Sequence, residues 1–284
     1  MGNVINVAVI GGSGVYKLDA IKIENSHKVL TPFGDPSGEI LQAKVGDHNF
    51  FFLPRHGIGH TLTPTEVNYR ANIYALKKLG VKYIISVSAV GSLKEELPPT
   101  KFVLVDQFID WTKGKREKTF FGSGLVGHVS CADPIELNLQ KRMKEACEKA
   151  SVDYAMGGSY ICIEGPQFST RAESLFYKNV MGASVIGMTN ATEAFLAKEA
   201  GMAYATVAMV TDYDCWREGD HCTLEEIMKV MDTNYKSVQK LIVELIPSLY
   251  KNPVQFKPEN KMAVVTDSNK IKEKHKEILD VILS

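Results

Sequence analysis

The sequence has no excess of either charge: its 33 Lys and Arg residues balance 33 Asp and Glu. A neutral chain has no field to hold a polyanionic backbone, and no basic block is long enough to do so locally, so nucleic-acid binding is not expected. The short cluster Lys113, Lys115, Arg116 and Lys118 reads as a solvated loop. Neutrality also does little to oppose self-association. Cysteine is scarce. The five residues, Cys131, Cys147, Cys162, Cys215 and Cys222, are odd in number and irregularly spaced. No pair has CxxC spacing, so neither a disulfide framework nor a thiolate zinc site is expected, and free thiols in a reducing cytosol fit better. No apolar run approaches the length that spans a bilayer. The first six residues lack the basic region of a signal peptide and the Ser or Thr that myristoylation requires at position 6. The expectation is a cytoplasmic protein. Asn190-Ala191-Thr192 fits the glycosylation pattern, which is silent without secretion.

Hydrophobic residues make up 45% of the 284 positions, enough for a large core. Residues 7–10 form an apolar run that stops at glycines and read as a buried strand. Residues 40–53 hold two strand-like runs around the turn Gly46-Asp47-His48. Further runs lie at 83–88, 102–105, 160–163, 185–188 and 204–210. Between them are marked helix starts. Thr63-Pro64-Thr65-Glu66 is a capping box expected to open a helix running to about Lys78 and ending at Gly80. Asp133-Pro134-Ile135-Glu136 is a second start, followed by Leu139, Met143, Ala146 and Ala150 on one face. Thr170-Arg171-Ala172-Glu173 and Thr223-Leu224-Glu225-Glu226 are two more, and a helix is expected from Asn190 to Gly201. Strands alternating with helices predict an α/β fold around one central, parallel or mixed sheet. No linker or repeat divides the chain, which reads as one domain over residues 1–284. Residues 257–270 are polar and poorly patterned, and 271–283 suit an amphipathic helix.

Functional groups in such sheets gather at the carboxyl ends of strands. The first run ends in Gly11-Gly12-Ser13-Gly14, whose backbone N–H groups suit an anion, with the Ser13 hydroxyl as a further donor; a plain tight turn is an equal reading. A dinucleotide fingerprint would need Gly where Lys17 stands, and no Gly-Lys-Ser/Thr follows to make a P-loop. A dehydrogenase or nucleotide-binding module is therefore not supported. Arg55-His56 follows another apolar run. The Arg offers a planar fork that matches phosphate, or a surface salt bridge. His56 and His60 flank Gly57-Ile58-Gly59 without a third residue at metal-ligand spacing, so hydrogen bonding to substrate oxygens is the better reading. Phe168, in a Gly-Pro-rich loop, can stack on a base or fill a core. Asp212 and Asp214 end an apolar run and share a face if the strand continues that far. They read as glycosidase acid and nucleophile, metal ligands, acceptors for an amino group, or turn caps.

Taken in order, Gly-Gly-Ser-Gly, Pro-Arg-His-Gly-x-x-His, Ser-Ala-Val-Gly-Ser-Leu, Ile-Glu-Gly-Pro-Gln-Phe-Ser-Thr-Arg-Ala-Glu-Ser, Leu-Ala-Lys-Glu-Ala-Gly and Thr-Asp-Tyr-Asp-Cys-Trp resemble the methylthioadenosine-cleaving branch of the trimeric purine nucleoside phosphorylases, over roughly residues 5 to 250. The resemblance implies a mixed sheet flanked by helices, a homotrimer, and phosphorolysis of 5′-methylthioadenosine to adenine and 5-methylthioribose 1-phosphate. That is a pentosyl transfer of purine and methionine salvage, in the cytoplasm and also the nucleus. Inorganic phosphate is a co-substrate, and no cofactor or metal is implied. By matching positions, Ser13, Arg55, His56, Ser88 and Thr189 would hold phosphate, with Ala89 lining the site. Met188 would contact the ribose and Phe168 would pack on the purine. Asp212 and Asp214 would face its N7 and 6-amino edge. His60 and His128 would lie near the 5′ end of the sugar, with Leu224 and Ile227 as the apolar wall at the methylthio group.

The chemistry agrees with these roles. The leaving purine accumulates negative charge that a buried, protonated Asp can relieve at N7, and the incoming phosphate needs alignment rather than activation. Asp212 stands where the 6-oxopurine branch carries Asn, and Ser169 where it carries Glu, which favours a 6-amino group. An alternative is broader preference, for adenosine or methylthioinosine. Departures from the pattern are Ser13 and Ser88 in place of Thr, Gly187 in place of Asn, expected to loosen a contact near the purine or sugar, and Thr192 in place of Pro.

Overall fold

The computed structural model describes residues 6–12, 21–219 and 223–284. In chain order its elements are β1 (Val7–Gly11), β2 (Lys22–His27), β3 (Ile40–Val45), β4 (His48–Pro54), α1 (Tyr69–Lys78), β5 (Tyr83–Ser92), β6 (Phe102–Leu104), β7 (Gln107–Trp111), α2 (Leu137–Lys149), β8 (Tyr154–Met156), β9 (Ser159–Ile163), α3 (Arg171–Asn179), β10 (Val185–Gly187), α4 (Asn190–Glu199), β11 (Ala203–Asp212), α5 (Leu224–Lys251) and α6 (Glu273–Ile282). No helix among the described residues is long and apolar enough to cross a membrane.

All eleven strands join one mixed sheet in the order β2-β3-β4-β1-β5-β10-β9-β7, with β11 also on β5, β6 on β11 and β8 on β6. The apolar runs supply its centre: β1 is buried along its whole length, and β11 everywhere but Asp212. The decisive feature is how β5 shares its edges. β11 runs parallel along nearly all of it. On the other side β1 pairs only as far as Ser86, and β10 takes over, antiparallel, at Gly91. Residues 87–90 lie between these two partners. A change of strand partner of this kind opens a crevice at the strand ends.

Helix starts follow local chemistry where tertiary bonds allow it. Thr170 and Thr223 each form a full capping box. Two starts differ from expectation. Thr63 donates from both its backbone N–H and its hydroxyl to the Glu66 carboxylate, but the Glu66 N–H goes to the Thr63 carbonyl, and α1 begins only after Asn68, whose side chain caps Ala71 and also donates to the carbonyls of Phe33 and Asp35. Those long-range bonds hold Asn68 outside helical geometry. Likewise Asp133 does not cap α2. Ile135 is buried and the Glu136 N–H donates to the Tyr204 carbonyl, so the chain stays extended and Glu136 becomes the cap. Three strands gave no apolar signal: β2 is an exposed edge, and β7 and β8 are short and half-buried. Arg116 is a further correction, because its side chain is buried rather than solvated.

Candidate active site

A cleft of about 290 Å³ opens where β5 changes partner. Its floor is Val87 to Gly91 of β5, with Arg55 and His56 after β4 on one side and Met188 and Thr189 between β10 and α4 on the other. Phe168 and Ser169 come from the loop after β9, Asp212 and Asp214 from the end of β11, and Leu224 and Ile227 from the first turn of α5. His60 completes the rim. The cleft therefore gathers Arg55, His56, His60, Ser88, Ala89, Phe168, Met188, Thr189, Asp212, Asp214, Leu224 and Ile227. Ser13 and Cys222 lie outside the described residues. His128 does not line this cleft; its segment is tied to the C-terminal stretch through a bridge between Gly127 and Val264 and a bond from its N–H to Ala263.

Arg55 lines the cleft and is tied into the floor beneath it. It is buried, and its Nε and Nη2 donate to the Glu193 carboxylate. Nη2 also reaches Ser86 Oγ at 2.7 Å, and Nη1 donates to the Val87 carbonyl at 2.9 Å. The planar fork thus faces Glu193 of α4, locking α4 to β5 and fixing the floor of the cleft. Burial alone would lower the guanidinium pKa, but the Glu193 carboxylate raises it above its ordinary value.

His56 Nδ1 donates to the Leu62 carbonyl at 2.9 Å, and its ring stacks on His60 with centroids 4.3 Å apart. Burial first, and Arg55 second, push the imidazole down to about 4. The ring is neutral at physiological pH and acts as a hydrogen-bonding group, not a cation.

The Asp pair departs from simple alternation. The β11–β5 register shifts between Val210 and Asp212, where β11 ends. Asp214 then adopts left-handed backbone, φ 54°. Asp212 Oδ2 accepts from the Thr211 hydroxyl at 2.6 Å, and Oδ1 accepts from the Asp214 N–H at 2.7 Å. Asp214 is only 3% exposed, and burial, with Asp212 adding to it, pushes its carboxyl up to about 6. One carboxyl therefore accepts two hydrogen bonds while its neighbour keeps its proton up to about pH 6, above the ordinary carboxylate range. Gly91 permits this: a Cβ there would sit 3.0 Å from Asp212 Oδ1 and 3.3 Å from Asp214 Cβ.

Phe168 is 47% exposed at the mouth and Leu224 66% exposed, while Ile227 is half-buried. Sequence reasoning missed Pro64, Met209, Met231 and Tyr235 in the lining. Met209 sits in an apolar strand and Met231 and Tyr235 on a long amphipathic helix, where nothing local separates a cleft residue from a core residue.

The family model of the phosphorylase superfamily matches residues 6–247. An S-methyl-5′-thioadenosine phosphorylase of Rhodospirillum rubrum is 50% identical over 87% of this chain and 84% of its own. A methylthioadenosine phosphorylase crystal structure sourced from an antarctic soil metagenomic library is 43% identical, covering 99% of this chain and all of that one, with a TM-score of 0.92. The Schistosoma mansoni methylthioadenosine phosphorylase in complex with adenine is 36% identical over 87% of this chain and 93% of its own, with a TM-score of 0.82.

Proposed function

The chain belongs to the phosphorylase superfamily and, within it, to the S-methyl-5′-thioadenosine phosphorylases, and from that premise we propose that its cleft binds phosphate and 5′-methylthioadenosine together and transfers the pentose from adenine to phosphate. The observation that supports this best is the pairing, within one cleft, of a hydroxyl- and imidazole-rich floor with a buried carboxyl pair. Ser13, Arg55, His56, Ser88 and Thr189 hold the phosphate, with Ala89 beside it. Met188 contacts the ribose and Phe168 packs on the purine. Asp214 lends its proton to N7 as negative charge develops on the leaving base, and Asp212 accepts from the 6-amino group. His60, Leu224 and Ile227 surround the 5′-methylthio group.

The reaction needs no group beyond the two substrates. Phosphate is already an anion, so the protein supplies position and a water-poor site in place of a nucleophile. On the resemblance alone, the enzyme is a homotrimer of purine and methionine salvage in the cytoplasm and nucleus. His128 lies outside the cleft of its own chain, so its role at the 5′ end requires a neighbouring copy to present it.

Release of adenine from methylthioadenosine, followed with and without inorganic phosphate, tests the reading. Strict phosphate dependence is expected, with adenosine slower and inosine nearly inert. Adenine release at full rate without phosphate would identify a hydrolase and overturn it.

A further inference from the structure

Tyr160, on β9, is fully buried and does not itself line the cleft. Its hydroxyl sits 3.5 Å from Ser88 Oγ on β5 and 3.5 Å from the backbone nitrogen of Thr189, beyond β10. These are long contacts of the kind that tighten when a ligand orders the site. Their polarity is fixed at one end. A backbone N–H can only donate, so Thr189 gives its proton to Tyr160 Oη, whereas either hydroxyl can donate between Tyr160 and Ser88. With the Tyr160 O–H directed to Ser88 Oγ, Ser88 keeps its own proton for the cleft. Burial pushes the Tyr160 phenol up to about 12, so it stays protonated across the working range.

A second observation concerns Gly187, the position where the family pattern expects Asn. A Cβ built on Gly187 would lie 2.0 Å from the Tyr160 oxygen and 2.6 Å from its Cζ. The Tyr160 ring cannot withdraw, because it packs edge-on against Phe108 at 5.5 Å inside the core. The departure at Gly187 is therefore occupied rather than loose: the Tyr160 hydroxyl fills the volume a side chain would take.

We propose that Tyr160 is a positioning residue of the phosphate site, its hydroxyl linking the Thr189 N–H to Ser88 so that Ser88 Oγ–H points at the incoming phosphate, with Gly187 as the partner position that makes room for it. The proposal rests on the phosphorolysis reading.

Tyr160→Phe removes the hydroxyl and keeps the ring. The expected result is a KM for phosphate raised about tenfold, the size of one lost hydrogen bond to an anion, with the KM for methylthioadenosine and the melting temperature little changed. Because the effect runs through Ser88, adding Ser88→Ala to Tyr160→Phe should cost less than the two separate losses combined. An unchanged phosphate KM, or a uniform fall in all constants with a lower melting temperature, would overturn the proposal. Gly187→Ala is expected to destabilise the chain alone and to be tolerated together with Tyr160→Met; failure of that rescue would remove the steric pairing. Unmutated enzyme, run alongside, separates the two levels. If it cleaves without phosphate, the phosphorolysis reading fails and this proposal with it. If it depends on phosphate and the Phe variant matches it, only the role of Tyr160 falls.

Discussion

Asp214 concentrates the chemistry in one residue. It combines left-handed backbone with a buried carboxyl beside a second acid, and both features cost stability. The sign of the pH dependence follows. The folded-state pKa, about 6, lies above the ordinary value of 3.8, so the folded protein holds this proton more tightly than the unfolded chain. The folded state is therefore penalised above pH 6, and the penalty shrinks as pH falls from 6 toward 4. Asp214→Asn removes the ionisable group while keeping a side chain that tolerates positive φ. Denaturant unfolding should find this variant more stable than wild type by about 2 kcal/mol at pH 7.5, with the gap closing near pH 4. The same variant should lose kcat/KM for methylthioadenosine by about a hundredfold or more, the loss typical for a missing acid catalyst. A stability gap that does not depend on pH would remove the raised carboxyl from the account.

Between elements, Arg116 does what no single strand or helix does. It stands in a segment with neither, yet its side chain is fully enclosed. Its Nε meets Glu164 Oε1 at 3.0 Å, Nη2 donates to the Glu164 carbonyl at 2.6 Å, and Nη1 reaches the Tyr69 hydroxyl at 3.2 Å and the Met188 carbonyl. One guanidinium thus fastens the end of β9, the start of α1 and the β10–α4 junction that carries Thr189. Arg116→Met leaves the Glu164 carboxylate enclosed without its cation, and the expected loss is about 3 kcal/mol or more in urea unfolding. Glu164→Gln added to it should recover part of that loss; no recovery would mean the ion pair is not what holds the junction. Arg116 also marks where the sequence stops being readable. Apolar runs announced the central strands, and the boxes at Thr170 and Thr223 announced their helices, because those signals are local. The strand-end motifs, together with the family resemblance that added Leu224 and Ile227, drew twelve candidate residues to the described cleft. Arg116 stood among lysines and looked solvated, since its partners are distant carbonyls. The bond between Arg55 and Glu193 was invisible because the two lie 138 positions apart. Thr63 bonds to Glu66 without opening a helix because Asn68 answers to Phe33 and Asp35.

For the whole molecule, the unfinished surface is the end of the sheet at β7. That strand is the last in its direction, and beside it Trp111, Leu175, Phe176 and Val180 are 44%, 38%, 40% and 71% exposed. Trp111 and Phe176 touch, with ring centroids 6.1 Å apart, and Val180, which caps α3, follows Phe176 by one turn. An edge strand flanked by exposed aromatics is a face that natural proteins cover, and a chain with no net charge does not oppose a second copy there. The proposed trimer would cover it and could also bring His128 to a neighbour's cleft. Phe176→Glu with Val180→Glu places like charges on every copy of this face. Sedimentation should find wild type at three times the chain mass and the double variant at one. The separated chains should keep a phosphate-induced thermal shift, since the phosphate floor is built within one chain, but lose turnover of methylthioadenosine, whose 5′ end would face water. A double variant that still sediments as a trimer would move the interface elsewhere, and fully active single chains would show that each cleft is complete without its neighbour.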